Sequence, residues 1–466
     1  MAKTIFFYDL ETSGLDPRDD RIMQFAGQRT DLDLNPIGEP VNLFVKMLDD
    51  TLPSPQAIMT TGITPQSTQA DGLTESELAQ YLQDEIFTPD TLTMGYNNVR
   101  FDDEFMRALF WRNFYDPYEW QWSEGRSRWD LLDVVRLTRA LRPEGINWPF
   151  TESGKATNRL ELITKLNGVE HEHAHDALSD VYATIAVAKL IRQHQPQLFE
   201  YLLKMRDKRE VARLVNLDHP APFVYASGRY SAEFNKATVA YPLAPAQNGH
   251  VLVYDLRYNL EELLEKEGLS FFPQVKRLAY NKCPAVAPLS VLDKADGWTK
   301  IGLDQEVVNK HLKTLLAHPE FAERMRTADE EKPEYPPAVD VESAIYDGFL
   351  PDSDRAICKE VINRAHPSMP DNLTQLASPD SLLADFHPNF TDERLPELLL
   401  HFKARNYPNA LSEAEARKWD KYRVERLTRQ SGPFIKALQS LQEASADPFI
   451  LEELQLWYES LQPGDY

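Results

Sequence analysis

The sequence predicts a layered α/β domain, then a small β-rich domain, then an all-helical domain, and three patterns support this fold class. The first 195 residues alternate strand-like and helix-like segments. Residues 222–282 hold short aromatic and β-branched segments with turns between them, and the pattern is helical from about residue 343. Because 466 residues exceed one ordinary core, we expect domains at 1–195, 196–342 and 343–466.

Apolar periodicity predicts the elements of the first domain in order. Thr74 and Glu77 have the spacing of a capping box, so a helix should begin there. Strands are predicted at 4–9, 21–30, 42–47 and 92–96, and helices at 74–87, 102–112, 130–141, 159–167 and 176–193.

The rest of the chain changes character twice. Residues 196–213 indicate a helical connector, and the acidic, proline-rich residues 329–338 indicate a linker. The β-rich domain has predicted strands at 222–230, 237–244, 250–257 and 274–282, with a helix at 304–317. The last domain has predicted helices at 353–365, 391–406, 411–429, 432–443 and 446–461.

Composition excludes several classes of protein. Hydrophobic residues are 42% and charged residues 26%, so the chain is not disordered throughout. Two cysteines, Cys283 and Cys358, cannot build a disulfide framework or a four-cysteine zinc site. No signal peptide or membrane span is recognisable, which predicts a cytoplasmic protein without a membrane partner. The net charge of −23, taken alone, argues against a nucleic-acid partner.

Two carboxylates at the end of the first predicted strand are the sharpest chemical feature. Asp9 and Glu11 are two residues apart, so their side chains leave the strand on the same side. Neighbouring carboxylates repel each other unless a cation bridges them, and Mg²⁺ prefers oxygen ligands. Asp102 follows the strand 92–96, and His175 stands five residues before Asp180 on a predicted helix.

These residues form a recognisable set of motifs. D-x-E, N-x-x-F-D and H-x-x-x-x-D occur in order at Asp9–Glu11, Asn98–Asp102 and His175–Asp180. The set resembles the DEDD family of 3′→5′ exonucleases. Position 176 is Asp rather than Tyr, so the resemblance is to the histidine subclass. The segments TGITPQ, GYNNVRFDDE, RNFYDPY, SRWDLLDVVR, LRPEGINWP, AHDALSDVYATIA and NKCP extend the likeness to the bacterial exonuclease I family over essentially the whole chain.

This resemblance implies a fold and an activity. The three domains would be a ribonuclease-H-like exonuclease domain, an SH3-like domain and a helical domain. The activity would be processive 3′→5′ degradation of single-stranded DNA to 5′-mononucleotides by a monomer acting in DNA repair and recombination. In a two-metal mechanism, two Mg²⁺ ions, or Mn²⁺ as a substitute, would be held by Asp9, Glu11, Asp102 and Asp180. His175 would be the general base.

The charge distribution permits a nucleic-acid partner although the total does not suggest one. Residues 1–99 hold 5 basic and 16 acidic residues, whereas residues 100–142 hold 8 of each and are rich in tryptophan. Proteins hold single-stranded nucleic acid with basic side chains along its phosphate backbone and with aromatic side chains that stack under its bases. The resemblance implies strand contacts at Thr61, Gly62, Arg107, Tyr118, Trp122, Arg136 and Arg159.

Other functions and partners stay open at this level. The basic stretches 204–213 and 417–429 are either solvated helix faces or docking sites for the acidic C-terminal tail of single-stranded DNA-binding protein. The resemblance adds Arg142 and Tyr201 as docking candidates. Alternating His171, His173 and His175 could form a zinc or nickel clip. An RNA-trimming exonuclease, a catalytically dead scaffold and a proofreading subunit are the competing functions.

Overall fold

The computed structural model describes residues 2–169, 176–264, 273–331, 338–367 and 378–462. His171, His173 and His175 lie outside the described residues, so the predicted general base and the predicted metal clip have no structural account. Most of the predicted linker 329–338 lies outside them as well.

The first domain is built on a mixed sheet, as the alternating pattern predicts. Its strands are β1 (Thr4–Thr12), β2 (Ile22–Thr30), β3 (Val41–Phe44), β4 (Thr91–Gly95) and β5 (Ser127–Asp130). They lie in the order β3-β2-β1-β4-β5, with β1 antiparallel to β2 and parallel to β4. The pattern does not predict β5, because it has only four residues and two of them, Arg128 and Asp130, are charged. Its pairing with β4 makes it a strand.

Helices cover this sheet. The five predicted helices are present and begin close to the predicted positions, whereas the helices at Pro55–Thr61 and Pro65–Gln69 are not predicted. Thr74 and Glu77 form the predicted capping box, in which the Glu77 N–H donates to Thr74 Oγ1 at 3.2 Å and the Thr74 N–H donates to Glu77 Oε2 at 2.8 Å. The helices are α1 (Pro55–Thr61), α2 (Pro65–Gln69), α3 (Glu75–Tyr81), α4 (Asp102–Arg112), α5 (Leu131–Leu141), α6 (Leu160–Leu166) and α7 (Ala177–His194). The short helices α1 and α2 each start at a proline, a position where proline costs no hydrogen bond.

A second, wholly antiparallel sheet follows the connector helices α8 (Pro196–Lys204) and α9 (Lys208–Leu214). Its strands are β6 (Phe223–Ala226), β7 (Ala237–Pro245), β8 (Val251–Asp255), β9 (Val275–Leu278) and β10 (Ala285–Pro288). The strand order is β10-β6-β7-β8-β9. Helices α10 (Leu260–Leu264), α11 (Gly297–Lys300), α12 (Gln305–Leu316) and α13 (Pro319–Glu330) complete this part. The structure therefore confirms a β-rich second domain.

The third part is helical, with two departures from the prediction, which are the unpredicted short helix at Pro379–Ala384 and the continuity of the helix at Glu413–Glu443. Its helices are α14 (Asp352–Ala365), α15 (Pro379–Ala384), α16 (Leu395–Asn406), α17 (Glu413–Glu443) and α18 (Pro448–Leu461). The two helices predicted at 411–429 and 432–443 are one continuous helix that passes through Pro433. Proline removes one backbone hydrogen bond there, but Leu427, Phe434 and Leu438 on both sides of it are buried in one apolar cluster with Ile58. Packing thus outweighs the local break.

Buried charges join the third domain to the first. Arg21 Nη2 lies 2.8 Å from Glu342 Oε2, and both side chains are almost fully buried. Arg405 bridges Glu342 and Asp50 at 2.6 Å each, and Arg426 lies 3.4 Å from Asp50. We call this group the junction network. Its contacts between the domains join residues that are 321, 355 and 376 positions apart in the chain.

Among the residues that the structure describes, none of the helices combines the length and the hydropathy that a membrane span requires.

Candidate active site

The candidate site lies where β1 extends past its neighbour β4. Pairing between these strands ends at Phe7 and Met94, and β1 continues to Thr12. Tyr8 and Leu10 are buried on one side, whereas Asp9 and Glu11 are half-buried on the other. The register shifts between Glu11 and Thr12, a bulge that bends the strand directly after the second carboxylate.

Helix α7 brings a third carboxylate to this strand end. Asp176 caps the helix by accepting the Ser179 N–H at 3.1 Å, and Asp180 lies in the first turn. Gln24, which pairs with Glu11 across the sheet, donates to Asp176 at 3.2 Å. Asp9, Glu11 and Asp180 each offer an oxygen within 4.8 Å of the others. All three donors are carboxylates, so the set fits a hard divalent cation and suggests dependence on a divalent metal.

The two neighbouring acids at the start of α4 have different surroundings. The Leu10 N–H donates to Asp102 Oδ1 at 3.1 Å, at a point of β1 that β4 no longer covers. Asp103 is fully buried and accepts from Tyr8 and Arg128, each at 2.5 Å. Asp102 therefore faces the strand end with Asp9 and Glu11, and Asp103 holds the strand, the helix and Arg128 together.

Burial, together with the repulsion between neighbouring carboxylates, raises the pKa values of the acids. Burial is the largest cause for Asp9, whose pKa lies well above its usual range, and the charges of Asp102 and Asp180 add to it. Burial, then Asp180 and Asp102, raises the pKa of Glu11 to about 8. Burial, then the charge of Asp103, raises the pKa of Asp102 to about 8. A bound cation would stabilise the ionised carboxylates of this cluster and so lower their pKa values.

Two residues beside the carboxylate cluster, Asp176 and Gln24, are not predicted from the sequence. Asp176 lies near the cluster, since its charge raises the pKa of Asp9 and of Glu11. Its place directly before a helix is the signal that could identify it as an N-cap. The other residue is Gln24, whose contact with Asp176 depends on strand pairing and has no local signal in the sequence.

The residues predicted to contact a nucleic-acid strand fall into two groups, those exposed to solvent and those that already contact other protein groups. Trp122 is 65% exposed, and the Arg159 side chain at the N-cap of α6 is 74% exposed. Gly62 ends α1 with a φ of 71°, and no atom lies within 4 Å of where a Cβ would stand. Thr61 precedes it and is half-buried. A nucleotide could therefore approach the backbone closely at Gly62.

The other predicted contacts, Arg107, Arg136 and Tyr118, already interact with neighbouring protein groups. Arg107 donates to Glu104 at 2.8 Å and to Gln121 at 2.9 Å, with its guanidinium 5.5 Å from the centre of the Tyr118 ring. Arg136 donates to Asp133 at 2.5 Å. The Arg136 side chain also abuts Gly228 of the second domain, where an added Cβ would lie 2.8 Å from Nη2. These arginines are already oriented in the structure.

The docking candidates lie in different surroundings. Arg142 donates to the Val291 carbonyl at 3.2 Å, at the junction of the first two domains. Tyr201 is half-buried against the apolar core. In the basic stretch 204–213, Arg209 pairs with Asp207 at 2.7 Å. In the stretch 417–429, Arg426 is 1% exposed and belongs to the junction network. For Arg426 both sequence interpretations, a solvated face and a docking site, are therefore wrong.

Comparison with known families agrees with this architecture. The family model described as exonuclease matches residues 6–188. The models described as exonuclease I SH3-like domain and exonuclease I C-terminal domain match residues 206–328 and 339–461.

Individual relatives match along almost the whole chain. Exodeoxyribonuclease I of Haemophilus influenzae is 39% identical over 465 residues, covering 95% of each chain. Exodeoxyribonuclease I of Escherichia coli is 40% identical, covering 90% of this chain and 89% of that one. The crystal structure of E. coli exonuclease I in complex with a dA16 oligonucleotide superposes with a TM-score of 0.90 at 37% identity, covering 99% and 100% of the two chains. The chain belongs to the exodeoxyribonuclease I family and is a nuclease with an exonuclease domain, an SH3-like domain and a helical C-terminal domain.

Proposed function

We propose that this nuclease degrades single-stranded DNA processively from the 3′ end, uses Mg²⁺ and releases 5′-mononucleotides. The observation that carries the proposal is the cluster of Asp9, Glu11 and Asp180, with ligand oxygens within 4.8 Å, beside the buried Asp102. The E. coli relative solved with dA16 supports single-stranded DNA as the substrate. We further propose that the enzyme is a cytoplasmic monomer that serves DNA repair and recombination.

The four carboxylates would hold two Mg²⁺ ions, with Mn²⁺ as a substitute. Bound metal would supply an activated water and neutralise charge on the leaving 3′-oxygen. The carboxylates themselves orient the site, since Asp9 and Glu11 are fixed by β1 and Asp180 by the capped helix α7. His175 would accept the proton of the attacking water, for which a reference pKa of about 6.5 suits neutral pH.

The strand would run along residues that combine positive charge with aromatic faces. Trp122 and Tyr118 would stack under bases, and Arg107, already turned over Tyr118, would meet the phosphates. Arg159 and Arg136 would add phosphate contacts, while Thr61 and Gly62 would lie against the terminal nucleotide. Arg136 packs against Gly228, which supports a groove that the SH3-like domain closes.

A labelled-substrate time course tests the proposal. Single-stranded DNA, duplex DNA and RNA of the same sequence are labelled at either end and followed with Mg²⁺ or with EDTA. We expect the 3′-labelled single strand to release labelled mononucleotide at once, and no release in EDTA. Faster degradation of the RNA, or first release from the 5′ end, would overturn the substrate or the polarity.

A trap experiment tests processivity separately. The enzyme is bound to labelled DNA, and hydrolysis is started together with a large excess of unlabelled strand. Closure of the domains around the strand predicts that many nucleotides are released from each bound molecule before it dissociates. Arrest immediately after the trap is added would show that the enzyme is distributive.

Peptide binding tests the partner proposal. We propose that the acidic tail of single-stranded DNA-binding protein docks at Arg142 and Tyr201. An acidic peptide should bind the parent chain and lose affinity on Arg142→Ala or Tyr201→Ala. The control is Lys3→Ala, which removes an exposed, paired cation outside both basic stretches, since Lys3 lies 2.9 Å from Asp90. Equal binding by all four proteins would refute this docking site.

A further inference from the structure

Glu104 lies two residues after Asp102 and contacts all three domains. Its Oε1 lies 2.8 Å from Arg107 of the exonuclease domain and 3.3 Å from Lys282 of the SH3-like domain. Its Oε2 accepts a hydrogen bond from the hydroxyl of Tyr346, which belongs to the helical domain. The Glu104 side chain is only 15% exposed, so these contacts are shielded from water.

The two added domains are anchored on either side of this carboxylate. Lys282 follows Asn281, whose carbonyl accepts from Arg128 at 2.9 Å, so this segment of the SH3-like domain is held against the exonuclease domain. Tyr346 lies in a segment that Arg394 holds by donating to Ala344 at 2.6 Å. Lys282 and Tyr346 therefore both approach Glu104 from segments that other hydrogen bonds hold in place.

From this geometry we propose that Glu104 is a positioning residue that latches the SH3-like and helical domains to α4 and keeps the groove closed between successive cleavages. Two cations, Arg107 and Lys282, converge on a single carboxylate. Without its charge they would repel each other at short range, and the SH3-like domain would lose its contact beside the acidic cluster. The proposal rests on the processive activity proposed above.

The same contact orients Arg107. Glu104 and Gln121 hold the two ends of its guanidinium, which keeps it over Tyr118. Glu104 thus takes part both in the contacts between the domains and in the orientation of Arg107. Loss of its carboxylate would remove one of the groups that orient Arg107.

Three variants and a matched control test the latch. Lys282→Met removes the contact from the SH3-like domain, Tyr346→Phe removes the one from the helical domain, and Glu104→Met, which leaves no acceptor, removes both. Lys300→Met is the control, because Lys300 pairs at 2.5 Å with Glu144, joining the same two domains as Lys282 at an exposed position. The readouts are nucleotides released per binding event with a trap, and the rate of the first cleavage at saturating DNA.

We expect Lys282→Met and Tyr346→Phe each to shorten the run about tenfold, the size expected for one hydrogen bond to a charged group. The rate of the first cleavage should stay within about twofold, and Lys300→Met should keep the parental run length. Glu104→Met should shorten the run as much as Lys282→Met and Tyr346→Phe combined, because both contacts are made to the Glu104 carboxylate.

Three results would overturn the latch, and they are distinguishable. Parental run lengths in Lys282→Met and Tyr346→Phe, in a parent enzyme that is processive, would refute the latch alone. A distributive parent enzyme would refute the proposed processivity and the latch with it. An equal loss in Lys300→Met would show general adhesion between the domains and would also refute a specific role for Glu104.

Discussion

The backbone N–H of Leu10 donates to the carboxylate of Asp102 at 3.1 Å, which joins the strand carrying Asp9 and Glu11 to the helix that starts at residue 102. The hydrogen bond forms where β4 has ended, so the side chain of Asp102 takes the place of a strand neighbour. It sets Asp102 toward the acidic cluster and leaves Asp103 to the buried contacts with Tyr8 and Arg128.

Asp102 and Asp103 should therefore respond differently to the same substitution. Asp102→Asn keeps an oxygen for the Leu10 N–H, so the fold should survive while hydrolysis falls more than about a hundredfold. Asp103→Asn leaves Arg128 buried without its charge partner and should lower the free energy of unfolding by about 3–5 kcal/mol. Chemical denaturation and single-turnover hydrolysis measure the two effects. A stable, inactive Asp103→Asn with an active Asp102→Asn would reverse the assignment.

Metal binding should be coupled to proton release. Glu11 and Asp102 have pKa values raised to about 8, so near neutral pH the metal-free cluster retains protons that a cation must displace. Affinity for Mg²⁺ should rise from about pH 6 to about pH 9, with protons released on binding. Calorimetry in two buffers of different ionisation enthalpy counts these protons. Affinity that is independent of pH would contradict the proposed ligands.

The junction network should carry much of the adhesion between the first and third domains. Glu342 is fully buried among Arg21, Arg405 and His401. Glu342→Gln should lower the free energy of unfolding by about 3–5 kcal/mol, because the arginines stay buried without their counter-charge. The control Glu397→Gln changes an exposed acid near His401 and should cost less than about 0.5 kcal/mol. Equal stability of the two variants would contradict this role.

The same network predicts loss of stability in acid. Burial raises the pKa of Glu342, but Arg405, His401 and Arg21 more than offset burial and hold the pKa well below its usual range. A lowered carboxyl pKa stabilises the fold above the unfolded value of about 4.3, and this contribution is lost as pH falls toward the folded value. The thermal unfolding temperature of the parent should fall as the pH drops below about 4, and that of Glu342→Gln should fall less. Parallel pH profiles would refute the linkage.

Trp122 should contribute to strand binding without contributing to stability. Its side chain is 65% exposed, so Trp122→Ala removes little packing. Loss of one stacked base should weaken binding of single-stranded DNA by about tenfold or more. Phe449→Ala is the control, since Phe449 is 63% exposed but belongs to α18 in the helical domain. Equal affinities of both variants and the parent would remove Trp122 from the strand path.

Local sequence patterns predict the helices and strands whose buried residues recur at a regular period. They fail where contacts with distant parts of the chain determine the secondary structure. The alternation in β1 predicts that Asp9 and Glu11 share a side. The short strand β5 depends on pairing with β4, and the continuity of α17 through Pro433 depends on packing against Ile58.

The buried ionic contacts have no local signal at all. Arg21 and Glu342 are 321 residues apart, and neither position differs in sequence from an ordinary surface charge. The hydrogen bond from Tyr346 to Glu104 also lacks a local signal, since it joins residues 242 positions apart. Sequence motifs could thus indicate which carboxylates do chemistry, but not which charges hold the domains around them.

We expect hydrolysis by this chain to depend on a divalent metal held by the carboxylates at the end of β1. This dependence is tested most directly by measuring mononucleotide release from a 3′-labelled single strand, with Mg²⁺ titrated into parent enzyme and Asp9→Asn after EDTA treatment. We predict saturable release by the parent and no measurable release by Asp9→Asn, which should still bind the strand. Parental turnover by Asp9→Asn in Mg²⁺, or by the parent in EDTA, would contradict the account.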